Sequence, residues 1–172
     1  MFNVGRLTKA EGFGQILQES GVEPRAGLVR ALVEADRELL LASAHLYRDS
    51  IPFLENLRSH DIRTAIVSNC SEHTRDLLVK LGVPELVDAV VLSCEVGAAK
   101  PSAPIFRHAL DQLGVPAEAA LFVDDQADFC AGAVAMGISA AQIVRGELDG
   151  KVQAAGTTLV RSLPEVEAML WA

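Results

Sequence analysis

The sequence predicts an α/β fold, a parallel sheet with helices on both faces, preceded by a small helical piece. Two patterns and the bulk composition predict it. Short apolar runs of strand length, TAIV (64–67), DAVVL (88–92), ALFV (120–123) and AAQIV (140–144), alternate with helix-length segments, as βαβ crossovers require. Gly82, Gly114 and Gly137 fall where those helices should stop. The 172 residues can bury one real core, and a chain 50% hydrophobic but only 5% aromatic builds it from Ala, Val and Leu.

Taken in order, Thr8 is a good N-cap, with Glu11 three residues on as its capping-box partner, and Gly21 closes that first helix. Pro24 opens a second, which runs to about Leu46 with Leu28, Leu32, Ala35, Leu39 and Ala42 at helical spacing. Ser50-Ile51-Pro52 begins a third, through Ser59. From there strands and helices alternate: strand 64–67, helix 71–81, strand 88–92, helix 104–113, strand 120–123, helix 129–136 and strand 140–144. Ser162 and Pro164 open a closing helix, 163–171. The first three strands read as buried.

Several function classes are excluded. A net charge of −8 without any Lys/Arg run argues against nucleic acid as a partner. Cys70, Cys94 and Cys130 are far apart and form no CxxC or Cys/His cluster, so they read as reduced core residues of a cytoplasmic protein. Residues 1–9 lack the apolar core of a signal peptide, and no apolar stretch reaches the ~20 residues of a membrane helix.

Three segments carry chemistry, and each sits at a strand end. Open parallel sheets bind ligands beyond the carboxyl ends of their strands. Ser68 and Asn69 offer a hydroxyl and free N–H groups to an anion, or Ser68 or Ser71 simply caps the next helix. Lys100, in a Gly/Ala turn before Pro101, can neutralise a phosphate oxygen or a carboxylate, or be a solvated surface lysine. Asp124 and Asp125 repel each other unless compensated, which suits Mg²⁺; the alternative is a cap for the next helix.

The order Ser68-Asn69, then Lys100-Pro101 with Ile105-Phe106, then Val123-Asp124-Asp125, resembles the second, third and fourth motifs of the haloacid dehalogenase-like (HAD) superfamily. The likeness extends along YRDSIPFLENLRSHDIRTAIVSNC and, for a helical cap, along GRLTKAEGFGQIL. The resemblance implies a Rossmann-like HAD core at 47–172 behind a partial helical cap at 1–46. It implies a Mg²⁺-dependent phosphatase-type hydrolase acting on a small phosphorylated molecule through an aspartyl intermediate. Ser68 and Asn69 would bind phosphate, Lys100 would act on phosphate and nucleophile, and Asp125, supported by Asp124, would hold the metal.

Two departures follow. The family's first motif is an apolar strand ending in Asp-x-Asp; no such pair occurs in these 172 residues, and the first acidic residue is Glu11. Phe129 stands where the family often has Asp or Asn; Asp128 is one residue early, about 100° round a helix. The missing strand would lie between the strands ending at Val67 and Val123. Three outcomes are expected for that gap: a fragment of a longer protein with a truncated start, the favoured one; direct pairing of the flanking strands; or a strand donated by another chain, a homo-oligomer included. The chain as given should be inactive. The alternative function is a non-enzymatic HAD-like domain binding a phosphorylated ligand or a protein. A phosphoacceptor receiver domain ranks below both, because there the acidic pair comes first and Lys-Pro last.

Overall fold

The computed structural model describes residues 7–146 and 153–171. The expectation that Met1 to Gly5 begins inside a cap lies outside them.

Helix α1 (Lys9–Glu19) starts as its sequence dictates: the Glu11 N–H donates to Thr8 Oγ1 at 3.2 Å, and the Thr8 N–H donates back to Glu11 Oε2 at 2.8 Å. Helix α2 (Ala26–Ser43) packs on α1 and buries none of its residues fully; it stops short of Leu46. Polar links tie this pair to the rest. Lys9 N–H donates to Glu72 at 2.9 Å, Arg37 pairs with Asp76 at 3.3 Å, and Lys80 Nζ donates to the Leu41 carbonyl.

Helix α3 (Ser50–Ser59) leads into strand β1 (Ala65–Ser68). Helix α4 (Thr74–Lys80), strand β2 (Ala89–Leu92), the single turn α5 (Ser93–Val96) and helix α6 (Ala103–Leu113) follow. Strand β3 (Leu121–Asp124), helix α7 (Ala127–Ala135), strands β4 (Ser139–Ile143) and β5 (Thr158–Val160), and helix α8 (Leu163–Leu170) complete the described chain. The helix-ending glycines adopt the left-handed backbone that favours glycine, with φ of 68° at Gly82, 63° at Gly114 and 80° at Gly137.

All strand pairs are parallel, with helices on both sides, so the predicted class holds. The described strands form two sheets. β1 pairs only with β2, in register Ser68↔Leu92, and β3–β4–β5 form the other, in register Asp124↔Gln142. Direct pairing of β1 with β3, one of the three outcomes expected for the gap, does not occur among the described residues. Among the described residues each of these strands keeps an edge without a strand partner. Both nevertheless pack, through Val67 and Phe122, against one apolar cluster that includes Val91, Ile105, Phe106, Cys130 and Ala133.

The open edges correct a second expectation. Every residue of β1 and β3 is only half-buried, whereas Val91 and Leu92 of β2 and Ala141 of β4 are 0% exposed. A strand flanked on one side alone keeps part of its surface uncovered. Strand β5 and turn α5 were not expected at all: TLV and SCEV are each too short to show a period.

Candidate functional site

Asn69 directly follows β1. Its side-chain amide reads the backbone of Lys100 at both ends: Oδ1 accepts the Lys100 N–H at 2.8 Å, and Nδ2 donates to the Lys100 carbonyl at 2.8 Å. This two-point grip fixes the turn after α5. The Lys100–Pro101 bond in that turn is cis, and Ser102 Oγ closes it on the Ala99 carbonyl at 2.6 Å.

From that turn the Lys100 side chain crosses to β3. Its Nζ lies 2.6 Å from Asp124 Oδ2, with the two side chains 8% and 9% exposed. The rings of Phe129 and Phe122 flank the ammonium at 4.9 and 5.5 Å, within cation–π range. The other Asp124 oxygen, Oδ1, accepts the Gln126 N–H at 2.9 Å. Phe129, a departure from the family pattern, thus has a definite place: it lines the pocket of the lysine. Cys130, one residue on, donates to the Asp124 carbonyl at 3.5 Å. Burial first, and then the Asp124 charge, push its thiol up to about 11, so it stays neutral.

The three predicted segments therefore meet in one chain of contacts, Asn69 to Lys100 to Asp124. Ser68, half-buried at the last position of β1, and Asp125, exposed one residue beyond β3, adjoin its two ends at the carboxyl rims of their strands. Asn69 spends its side-chain amide on the Lys100 backbone. Asp124, expected as the supporting acid, is the one that meets the lysine.

Three contributors escaped the sequence reading. Gly132 of α7 lets the helix approach the lysine turn: a Cβ there would lie 2.6 Å from both Pro101 Cβ and the Pro101 carbonyl oxygen. A glycine in mid-helix was the available signal. Ser93, 0% exposed, accepts the Cys70 N–H on its Oγ at 2.9 Å. Buried Gln142, beside Asp124 in register, donates from Nε2 to the Asp125 carbonyl at 3.4 Å and accepts the Ala154 N–H at 3.1 Å. Neither had a pattern to announce it.

A family model for haloacid dehalogenase-like hydrolases matches residues 3–137. The chain belongs to the haloacid dehalogenase-like hydrolases. It is 34% identical over 137 residues to the glyceraldehyde 3-phosphate phosphatase of Methanopyrus kandleri, covering 78% of this chain and 59% of that protein. It is 32% identical over 157 residues to the phosphoserine phosphatase of Thermus thermophilus, covering 90% of this chain and 61% of that one. The chain thus spans about half to three-fifths of most of the curated relatives it matches. The fold is shared with a HAD phosphatase from Thermococcus onnurineus, at TM-score 0.72 and 23% identity over 94% of this chain and 87% of that one. A solved dehalogenase aligns at TM-score 0.69 and 26% identity, over 93% and 70%.

A family phosphatase would be expected to use Mg²⁺, so the donor set matters. Both Asp124 oxygens are engaged, by Lys100 and by the Gln126 N–H, and Asp125 is exposed. Among the described residues no group of three or more His, Cys, Asp or Glu could hold a metal ion. The described residues therefore do not make a Mg²⁺ site unaided. Two open clefts of about 560 and 630 Å³ lie elsewhere, lined by Tyr47, Arg145 and their neighbours, and neither reaches Ser68, Lys100 or Asp125. Among the described residues no helix is long and apolar enough to cross a membrane.

Proposed function

We propose that this chain carries the phosphate-binding half of a phosphatase for small phosphorylated metabolites, and that the 172 residues by themselves bind phosphate without turning it over. The observation that carries the reading is the nearly buried Lys100 ammonium. It is positioned by Asn69, sheltered by two aromatic rings and held at the carboxyl rim of a parallel sheet. Relatives named for glyceraldehyde 3-phosphate, phosphoserine and phosphoglycolate support the substrate class.

In this reading the Ser68 hydroxyl and the backbone N–H groups after β1 donate to phosphate oxygens, and Lys100 supplies the positive charge. Asp124 holds the ammonium in place until an anion competes for it. Asp125 is the carboxylate left to face a metal, which a single side chain holds weakly. Helices α1 and α2 act as part of a substrate-selecting cap. Turnover fails because no Asp-x-Asp pair occurs in the sequence to supply the attacking carboxylate.

The test combines phosphate titration calorimetry with p-nitrophenyl phosphate hydrolysis in Mg²⁺. Expected are a dissociation constant of about millimolar, its loss in Ser68→Ala and Lys100→Met variants that stay folded, and no hydrolysis. Hydrolysis that disappears in Asp125→Asn would overturn the claim of inactivity, and phosphate affinity indifferent to both variants would overturn the site. The second reading, a non-enzymatic binding domain, is favoured by the absent Asp-x-Asp pair. It fails if the genomic reading frame continues upstream into an apolar strand ending in such a pair.

A further inference from the structure

Cys70 lies in the segment after β1 and Cys94 in the turn α5 after β2, yet their Sγ atoms lie 3.7 Å apart. The sheet puts them there. β1 and β2 run in register Ser68↔Leu92, and each cysteine lies two residues beyond its member of that pair. Cys70 is held against the end of β2, because its N–H donates to Ser93 Oγ at 2.9 Å and Ser93 Oγ reaches back to the Cys70 carbonyl at 3.4 Å. Cys70 is buried and Cys94 partly open to solvent. The Arg75 guanidinium, paired with Glu95 at 2.5 Å, is within electrostatic reach of both sulfurs.

We infer that Cys70 and Cys94 are a dithiol that closes into an intramolecular disulfide under a hydroperoxide, at the mouth of β1 and β2. The inference stands on this geometry and not on the proposed phosphate site. The balance with hydrogen peroxide is simple. Two S–H bonds and the O–O bond break, one S–S bond forms, both sulfurs are oxidised, and the peroxide is reduced to two waters. A sulfur separation of 3.7 Å has to close to about 2.05 Å, a shift within reach of side-chain rotation and small loop movement. Burial, then Cys70, push the Cys94 thiol up to about 12, so that thiol stays protonated near neutral pH. The bond would clamp the residue next to Asn69, and Asn69 carries the Lys100 backbone.

The three cysteines fall on separate tryptic peptides, 64–75, 81–107 and 108–145, since the Lys100–Pro101 bond resists trypsin. The reduced chain is treated with stoichiometric hydrogen peroxide, quenched by alkylation and mapped without reductant. The expected product is a cross-link between 64–75 and 81–107, with the intact mass lower by two hydrogens, Cys130 alkylated, and dithiothreitol restoring three thiols. Three alkylated thiols after oxidation, sulfinic acid on either cysteine, or a link to Cys130 or between chains would each overturn the proposal. The wild-type map decides it even if a Cys94→Ser control fails to fold; a folded control that still loses two hydrogens also overturns it.

Discussion

Replacing Lys100 by methionine should cost this fold far more than the loss of a surface ion pair. The side chains of Lys100 and Asp124 are 8% and 9% exposed, and their charges lie 2.6 Å apart. Coulomb attraction at that distance, with an effective dielectric of about 20, is about 6 kcal/mol gross. Desolvation of both groups offsets much of it, so the pair adds little net stability over an apolar replacement. Removing only the lysine is different, because Asp124 then keeps a buried charge with the Gln126 N–H but no cation. Such orphaning costs roughly 3–5 kcal/mol, a large share of a typical net stability of about 5–15 kcal/mol. Urea denaturation at neutral pH, followed by circular dichroism, measures it. The single variant should lose that amount at an unchanged m-value, with little dependence on salt. The double variant Lys100→Met/Asp124→Leu, which fills the space between Phe122 and Phe129 with apolar atoms, should recover most of the loss. A single-variant cost below about 1 kcal/mol, the range of exposed pairs, or a double variant no better than the single, would refute the reasoning.

Three further outcomes follow from the structure. Gly132→Ala should destabilise by roughly 1–3 kcal/mol, since its Cβ meets Pro101, backbone oxygen included, at 2.6 Å; that outweighs the helix propensity gained. Gly27→Ala in α2, with nothing within 4 Å, should instead stabilise by a few tenths of a kcal/mol, and equal signs in thermal melts would count against the steric argument. Burial pushes the Asp49 carboxyl up, but Arg145 at 2.9 Å and the Leu163 N–H at 3.1 Å pull it further down, below the usual carboxylate range. A depressed native pKa gives stability that is present above about pH 4 and lost as pH falls through the lower native value. Asp49→Asn should flatten that acid limb in pH-dependent urea midpoints, and an unchanged limb would reject the assignment.

Local rules carried the fold a long way. The Thr8–Glu11 box and the left-handed glycines at 82, 114 and 137 are decided within a few residues, so the sequence displays them. Helix α4 starts at Thr74 and not at Ser71, because the chain after β1 first runs through a turn anchored by Cys70 on Ser93, 23 residues away. Strand β5 has only three residues, TLV, and gains its place from β4. The half-burial of β1 and β3 could not be read from AIV or LFV, since burial depends on what lies beside a strand as well as on its own apolar content.

The site shows the same limit at finer scale. Ser68, Lys100 and Asp124-Asp125 could each be picked out as strand-end polar residues. Which of them touch is settled across 24 residues for Lys100–Asp124 and 31 for Asn69–Lys100, by sheet geometry. One part of the pairing was nonetheless open to a physical argument. Successive side chains on a strand point to opposite faces, so two adjacent acids at a strand end cannot both aim at one cation without a bend in the chain. Asp124, still within β3, turns inward to the lysine, and Asp125, one residue past the strand, stays exposed. The acidic pair that looks like one ligand set in the sequence is thus divided by the pleat into an internal counter-ion and an external carboxylate.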